Sequence, residues 1–320
     1  MSGNTKGALF ALLAFAIFST HDVVVKVLGG NYSPIQIVFF SVLLSFPWAT
    51  IMLMRDATAD TLLPKHPWWT ALRTVAAVIT GVSAFYAFSV LPMAQVYAIL
   101  FAAPLLITIL AIPVLGETVR IRRWVAVLVG LIGVLVVLRP GQQPLEPGHL
   151  AALVAALGGA VASVIVRKIG RDERPVVLML YPMAANFLVM GAALGFVYKP
   201  MPVEHLGLLA IISIFGLIAG RFVIAAYSAG EAVIVAPMQY SQILWATFYG
   251  FLFFDETIDA ATAIGAAIII GSGIYIVLRE SRGGNSSTTP VLRTRSRTES
   301  PTSFRISSLI RLRERRQESR

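Results

Sequence analysis

Residues 5–34, TKGALFALLAFAIFSTHDVVVKVLGGNYSP, and residues 146–175, EPGHLAALVAALGGAVASVIVRKIGRDERP, decide the fold when they are laid side by side. Gly7, Lys26 and Pro34 of the first stretch return as Gly148, Arg167 and Pro175, each 141 positions on. Working outward, His66, Gly81 and Ser89 return as His205, Gly220 and Ser228 at an offset of 139, and Glu117 returns as Glu256 at the same offset. The pair Leu138-Arg139 returns as Leu278-Arg279 at 140. Near-constant spacing of such different residues marks a duplicated unit. Each unit holds five apolar segments, and an odd number sets the second copy upside down in a bilayer. Inverted repeats are an architecture of secondary transporters, with the solute site near the midplane between the halves.

Composition places the chain in lipid. Of its 320 residues 57% are hydrophobic and only 13% charged, with mean hydropathy +0.78; soluble domains run at about 25% charged. Ten apolar blocks can be read, at 7–28, 34–54, 70–89, 92–114, 124–138, 148–167, 175–198, 206–227, 232–254 and 260–278. Most have the roughly 20 residues needed to cross a hydrocarbon core. The predicted fold is an all-α integral membrane protein of ten transmembrane helices arranged as two inverted five-helix repeats. Its expected parts are a first repeat over 5–140, a second over 146–280, and a disordered basic tail over 281–320. The first block lacks a small-residue cleavage site and is too long for a leader, so it reads as the first span. The absence of cysteine excludes disulfides, thiol catalysis and Cys-based metal sites.

Charge sets the expected orientation. With the N-terminus inside, inward segments carry eleven basic residues, from Lys6 to Arg174, against Lys26, Arg139 and Lys199 outside. That bias predicts a membrane protein with both termini cytoplasmic. From Arg279 onward eleven Arg face four Glu. This tail reads as a solvated segment beside the inner leaflet, with attraction to anionic lipid as the alternative. No aromatic interleaving or binding module accompanies the arginines, so nucleic acid is not an expected partner.

Ionisable side chains inside spans cost roughly 2.5–3.5 kcal/mol at the helix centre on insertion scales, so they are the first places to look for chemistry. The first span holds His21, Asp22 and Lys26. Neighbouring helical positions diverge by about 100°, so His21 and Asp22 are expected to point apart. Asp22 and Lys26 lie i, i+4 on one face and are spaced for an ion pair, a purely structural reading of the cluster. The functional reading turns His21 or Asp22 into the central cavity, for proton exchange or contact with a polar solute. Arg221 in the eighth span stands where the first repeat has Val82, a charge particular to one half. It is a candidate for substrate or a gating carboxylate, with Glu231 as the named partner. The ninth span carries the densest polar run, including Gln239, Tyr240, Gln242 and Trp245, and its counterpart carries Gln95 and Tyr97. Amide and aromatic groups of this kind suit a cavity wall and equally serve as hydrogen bonds between helices. Pro104 and Pro237 predict bends in these two spans. Gly191-x-x-x-Gly195 fits a close helix approach, with homodimerisation open.

The stretch Val235-Ala236-Pro237-Met238-Gln239-Tyr240 followed by Phe253-Phe254-Asp255-Glu256, and its counterpart Pro113-Val114-Leu115-Gly116-Glu117 leading to Val136-Val137-Leu138-Arg139-Pro140, resemble the EamA domain of the drug/metabolite transporter (DMT) superfamily. The resemblance covers about residues 5–280. It implies the same ten-helix fold, with a central cavity lined by the first, third, fourth, sixth, eighth and ninth helices. Carried over to this chain, that lining is His21, Tyr86, Gln95, Tyr97, Arg221, Gln239, Gln242 and Trp245, beside the residue-level candidates Asp22 and Tyr240. Glu117 and Glu256 sit at helix ends, where capping or packing is the simpler role. Members of the family move amino acids, vitamins such as riboflavin, adenosyl compounds, sugars and drugs, and a flat polar solute suits the ninth span best.

The expectation is therefore a secondary transporter of a small organic metabolite working by alternating access, and not an enzyme. The alternative is a non-transporting scaffold or lipid-flipping subunit. No cofactor, catalytic residue or metal ligand is implied, and no phosphate loop is present to take energy directly from ATP. The expected partners are a small-molecule substrate and membrane lipids, with proton coupling through His21 or Asp22 left open.

Overall fold

The computed structural model describes residues 3–54, 61–116, 121–140, 145–170, 172–229 and 235–282. The expected tail lies almost wholly outside the described residues, as do Glu231 and Glu117. The described chain is helical: α1 (Gly3–Gly29), α2 (Pro34–Met54), α3 (Pro67–Val90), α4 (Met93–Leu100), α5 (Ala103–Leu115), α6 (Ile121–Leu138), α7 (Pro147–Ile169), α8 (Pro175–Val197), α9 (Val203–Ala229), α10 (Ser241–Phe254) and α11 (Ala260–Arg282). A 3₁₀ turn, Ala236–Tyr240, leads into α10. In lipid a spanning segment must satisfy its own backbone polar groups, which is why the described part of each apolar block resolves into helix. Seven spans are long and apolar enough to cross a membrane; Trp124–Leu138 and Ala260–Ile276 are shorter apolar helices. The 3₁₀ turn with α10 completes ten. α4 and α5 together make the fourth span.

Packing repeats with the sequence. α1 lies along α9, and its counterpart α7 lies along α3; α2 touches α9 as α8 touches α3. The self-related pairs α2 with α8 and α6 with α11 join the halves directly. This is the inverted arrangement of two five-helix repeats. At the α6–α11 crossing a Cβ on Gly133 would stand 2.9 Å from the Gly265 carbonyl oxygen, so the two backbones nearly touch. At the α2–α8 crossing Gly191 admits the ring of Phe39, 3.0 Å from where its Cβ would be, while Gly195 has open space. Gly191 thus serves a contact within the chain.

We refer to the face where α1 begins as the basic face and to the other as the opposite face. Each is clamped by the same repeat positions. On the opposite face Tyr32 and His205 share a 2.6 Å hydrogen bond. On the basic face their counterparts are Glu173, which accepts the His66 N–H, and His66, whose Nε2 lies 3.4 Å from Asp172. Outward positions are apolar, as lipid contact demands: Leu128, Ile132 and Leu135 on α6 and Leu244, Phe248 and Phe251 on α10 are exposed.

Candidate functional site

The fourth and ninth spans break at matching places. Proline cannot donate to the carbonyl four residues back and clashes with it. Pro104 sits just after the break at Phe101-Ala102, where the Ala102 N–H tightens onto the Ile99 carbonyl at 3.0 Å. Pro237 lies within the 3₁₀ turn of the ninth span. Phe101 and Tyr240, equivalent positions in the two repeats, meet there edge to face, with centroids 5.0 Å apart. Tyr240 turns its ring against α11, where Gly273 leaves the room; a Cβ on Gly273 would overlap the phenol. The two bends therefore face one another at the seam of the halves.

Beside this seam is a buried polar network. The Tyr97 hydroxyl donates to Asp22 Oδ2, and the His21 Nδ1 lies 2.7 Å from Asp22 Oδ1. An ionised carboxylate only accepts, so Nδ1 is the donor. The Tyr97 oxygen in turn receives Gln242 Nε2 at 3.3 Å and stands 3.4 Å from the Ser19 hydroxyl. Ser19, His21, Asp22, Tyr97 and Gln242 are all buried. Rings close the site: Phe88 and Phe101 flank Tyr97 at 5.3 and 6.0 Å, and Phe85 meets the imidazole edge-on at 6.2 Å. The His21 Nε2 is buried without a hydrogen-bond partner among the described residues. Three of these elements, α1, α3 and α4, come from the first repeat, and Gln242 brings in α10 from the second.

Two sequence expectations are corrected here. His21 and Asp22 do not diverge: Tyr97 holds the carboxylate, and the imidazole reaches sideways along α1 to meet it. Lys26 does not pair with Asp22, whose oxygens are held by His21 and Tyr97, but reaches across to Glu256, just beyond α10, to form a 2.8 Å ion pair.

The remaining candidates lie outside the network. Gln95, at the start of α4, bonds His149 Nε2 at 2.9 Å, and His149 also receives the Glu146 N–H as part of a capping box on α7. Gln239 is buried in the 3₁₀ turn. Trp245 is half-buried and stacks on Tyr249, with centroids 6.2 Å apart, and the Tyr249 hydroxyl accepts from Thr20 at 3.1 Å. Tyr86 is half-buried, and its carbonyl accepts from Ser89. Arg221 is exposed and makes no hydrogen bond or ion pair with any described residue. Ser19, Phe85, His149 and Glu256 were not among the sequence candidates. Only Glu256 had a usable signal, its repetition of Glu117. A groove of about 360 Å³ lined by Thr61, Leu62, Leu63, Leu180, Tyr181 and Ala184 shares no residue with the network.

Comparison with known proteins fits this geometry. The chain matches the EamA-like transporter family twice, over residues 5–139 and 146–279. An S-adenosylmethionine uptake transporter of Rickettsia prowazekii is 27% identical over 88% of this chain and 95% of its own. A riboflavin transporter of Rhizobium johnstonii is 27% identical over 86% of this chain and 92% of its own. The pseudopaline exporter CntI of Pseudomonas aeruginosa is 27% identical over 82% and 93%. A solved crystal structure, 21% identical, superposes with a TM-score of 0.59 over 88% of this chain and 99% of its own, which speaks for the fold alone.

Proposed function

The chain belongs to the EamA-like transporter family of the drug/metabolite transporter superfamily, and from that premise we propose that it is a secondary carrier for an adenosyl compound bearing an amino-acid group. Transport proceeds by alternating access between residues 5–140 and 146–280. The protein sits in the bacterial inner membrane with both termini, and the basic tail 281–320, in the cytoplasm; the basic face is the cytoplasmic one.

The observation that carries this reading is the buried network of His21, Asp22, Tyr97 and Gln242 spanning both repeats. A carboxylate at membrane depth is expensive and marks solute or ion pathways. Asp22 offers a negative charge to an ammonium or sulfonium centre. His21 Nε2 offers an open hydrogen-bonding valence, and the rings of Phe85, Phe101 and Tyr240 offer flat faces for a purine. Trp245, Tyr249, Gln239, Gln95 and Tyr86 form the approach to this centre, and Arg221 meets the solute carboxylate as the halves move. A relative named for S-adenosylmethionine uptake that aligns over nearly its whole length supports the same solute class. A flavin, which lacks the cationic centre, is the second choice, and a simple amino acid the third.

Proteoliposomes loaded with the purified chain should accumulate labelled S-adenosylmethionine faster than riboflavin or amino acids. Asp22→Asn and Tyr97→Phe should each cut the initial rate at least tenfold. An imposed proton gradient should change the rate through His21 and Asp22. Uptake indistinguishable from that of empty vesicles across all three solute classes would sink the carrier reading. Riboflavin uptake insensitive to Asp22→Asn would overturn the solute choice.

A further inference from the structure

The groove between residues 61–63 and α8 lies toward the basic face, with one wall from each repeat. About 360 Å³ in volume, it is lined by Leu62, Leu63, Leu180, Tyr181 and Ala184 together with Thr61. That size falls within the roughly 300–1,000 Å³ of small-ligand sites, and the wall is almost wholly apolar. Leu180, Ala184 and Leu188 follow one another at i, i+4 spacing and so share one side of α8. Leu188 is 67% exposed, so the apolar side continues past the groove. The three residues span about 12 Å along the helix, most of the roughly 15 Å that one leaflet of hydrocarbon occupies. Because α8 begins at the basic face, this track runs from that face toward the midplane.

The mouth of the groove is cationic. Arg174, the residue before α8, donates from Nη1 to the Thr61 carbonyl at 3.2 Å, which fixes a guanidinium at the rim. Lys65 is exposed two residues beyond Leu63. The carboxylates next to Arg174 are engaged by His66: Glu173 accepts its backbone N–H, and Asp172 Oδ2 lies 3.4 Å from its Nε2. Trp68, in the first turn of α3, is 86% exposed. Tryptophan gathers at the level of lipid headgroups, and Trp68 sets the neighbouring mouth at that level.

We propose that this groove binds one anionic phospholipid, with an acyl chain along Leu180, Ala184 and Leu188 and the headgroup phosphate on Arg174 and Lys65. A guanidinium takes phosphate through paired N–H donors, and basic pockets between spans hold anionic headgroups. A zwitterionic lipid brings no net charge to such a mouth. The tail, with eleven Arg against four Glu, would meet charge of its own sign there. Touching both repeats, the lipid is a ligand of the assembled fold. The proposal rests on the membrane-spanning fold and on no particular solute.

The probe is radiolabelled dipalmitoylphosphatidylglycerol, added to the full chain in dodecyl maltoside, with dipalmitoylphosphatidylcholine for comparison. Phosphatidylglycerol should bind saturably and at least tenfold more tightly than phosphatidylcholine, and about 1 M sodium chloride should erase most of that preference. Lys65→Glu should weaken phosphatidylglycerol at least fivefold and leave phosphatidylcholine unchanged. Ala184→Trp, which fills the groove, should weaken both. Phosphatidylglycerol should raise the melting temperature of the parent chain but not of Ala184→Trp, because a ligand of the folded state stabilises it. Equal affinity for the two lipids would overturn the proposal. So would phosphatidylglycerol binding undiminished by either substitution, or binding that appears only once residues 284–320 are deleted, which would make the tail the occupant. Lys65 is exposed, so Lys65→Glu decides the matter even if Ala184→Trp fails to fold. Neither readout needs transport, so a failed uptake assay and a failed lipid site are separate results.

Discussion

Gly116 and Asp255 occupy the same place in the two repeats, and both end a span in the left-handed region, at φ 70° and 52°. Gly116 closes α5 by donating to the carbonyls of Ala111 and Ile112, and Asp255 closes α10 by donating to Gly250. An L side chain in this conformation costs roughly 1–2 kcal/mol, less for Asp and Asn, and glycine escapes the cost. No atom lies within 4 Å of where a Gly116 Cβ would be. Gly116→Ala should therefore destabilise the fold by about 1 kcal/mol through the backbone alone, and Asp255→Gly should stabilise it by less. Thermal unfolding in detergent measures both, and a more stable Gly116→Ala chain would refute the account. The position itself was legible, because Gly-Glu and Asp-Glu recur at one offset. The left-handed φ of Asp255 was not, since Asp serves turns and caps equally well. The His21–Asp22 bond was hidden for a related reason. Periodicity assigns neighbours to different faces, and only the packed partners, Tyr97 and Phe85, select the rotamers that meet.

At the scale of elements, prolines made the bends of the fourth and ninth spans legible, and the breaks fall beside Pro104 and within the turn holding Pro237. The partner of Lys26 was not legible, because Glu256 lies far along the chain and is brought near only by the packing of α1 against the end of α10. The start of α11 shows how such an end is held. Asp259 accepts the Thr262 N–H at 2.9 Å and the Thr262 hydroxyl at 2.8 Å, and it pairs with Arg139 from the end of α6. Burial pushes its carboxyl up, but the Thr262 bonds and the Arg139 charge outweigh this and hold it below the usual carboxylate range. A depressed folded value contributes stability above the unfolded pKa, and that contribution is lost as pH falls through the folded one. Asp259→Ala should thus cost about 1 kcal/mol near neutral pH, as loss of an N-cap does. The gap between the two chains should close as the medium is acidified below the ordinary aspartate range. Melting curves across pH test this, and a gap that widens in acid would contradict the cap.

For the whole molecule, the duplicated plan was legible because residues as unlike as Lys26, Pro34 and Glu117 recur at almost one spacing. The contacts between halves were not, since a symmetric sequence does not say which helices cross the seam. Orientation is a property of this scale, because it follows from charge summed over all the loops. The segments proposed to face inward carry eleven basic residues against three without counting the tail, and short loops near span ends dominate the choice. The tail's excess of arginine is therefore expected to be dispensable for topology. In intact bacteria expressing the cysteine-free chain, Glu204→Cys should react with a membrane-impermeant maleimide. Lys65→Cys should react at least tenfold less until the membrane is opened. Both positions are exposed, so burial does not mask either reporter. The pattern should persist after residues 284–320 are deleted, because the loop bias remains. Reversed labelling in the full chain would invert the proposed orientation. Reversal in the truncated chain alone would show that the tail, and not the loops, sets which face is cytoplasmic.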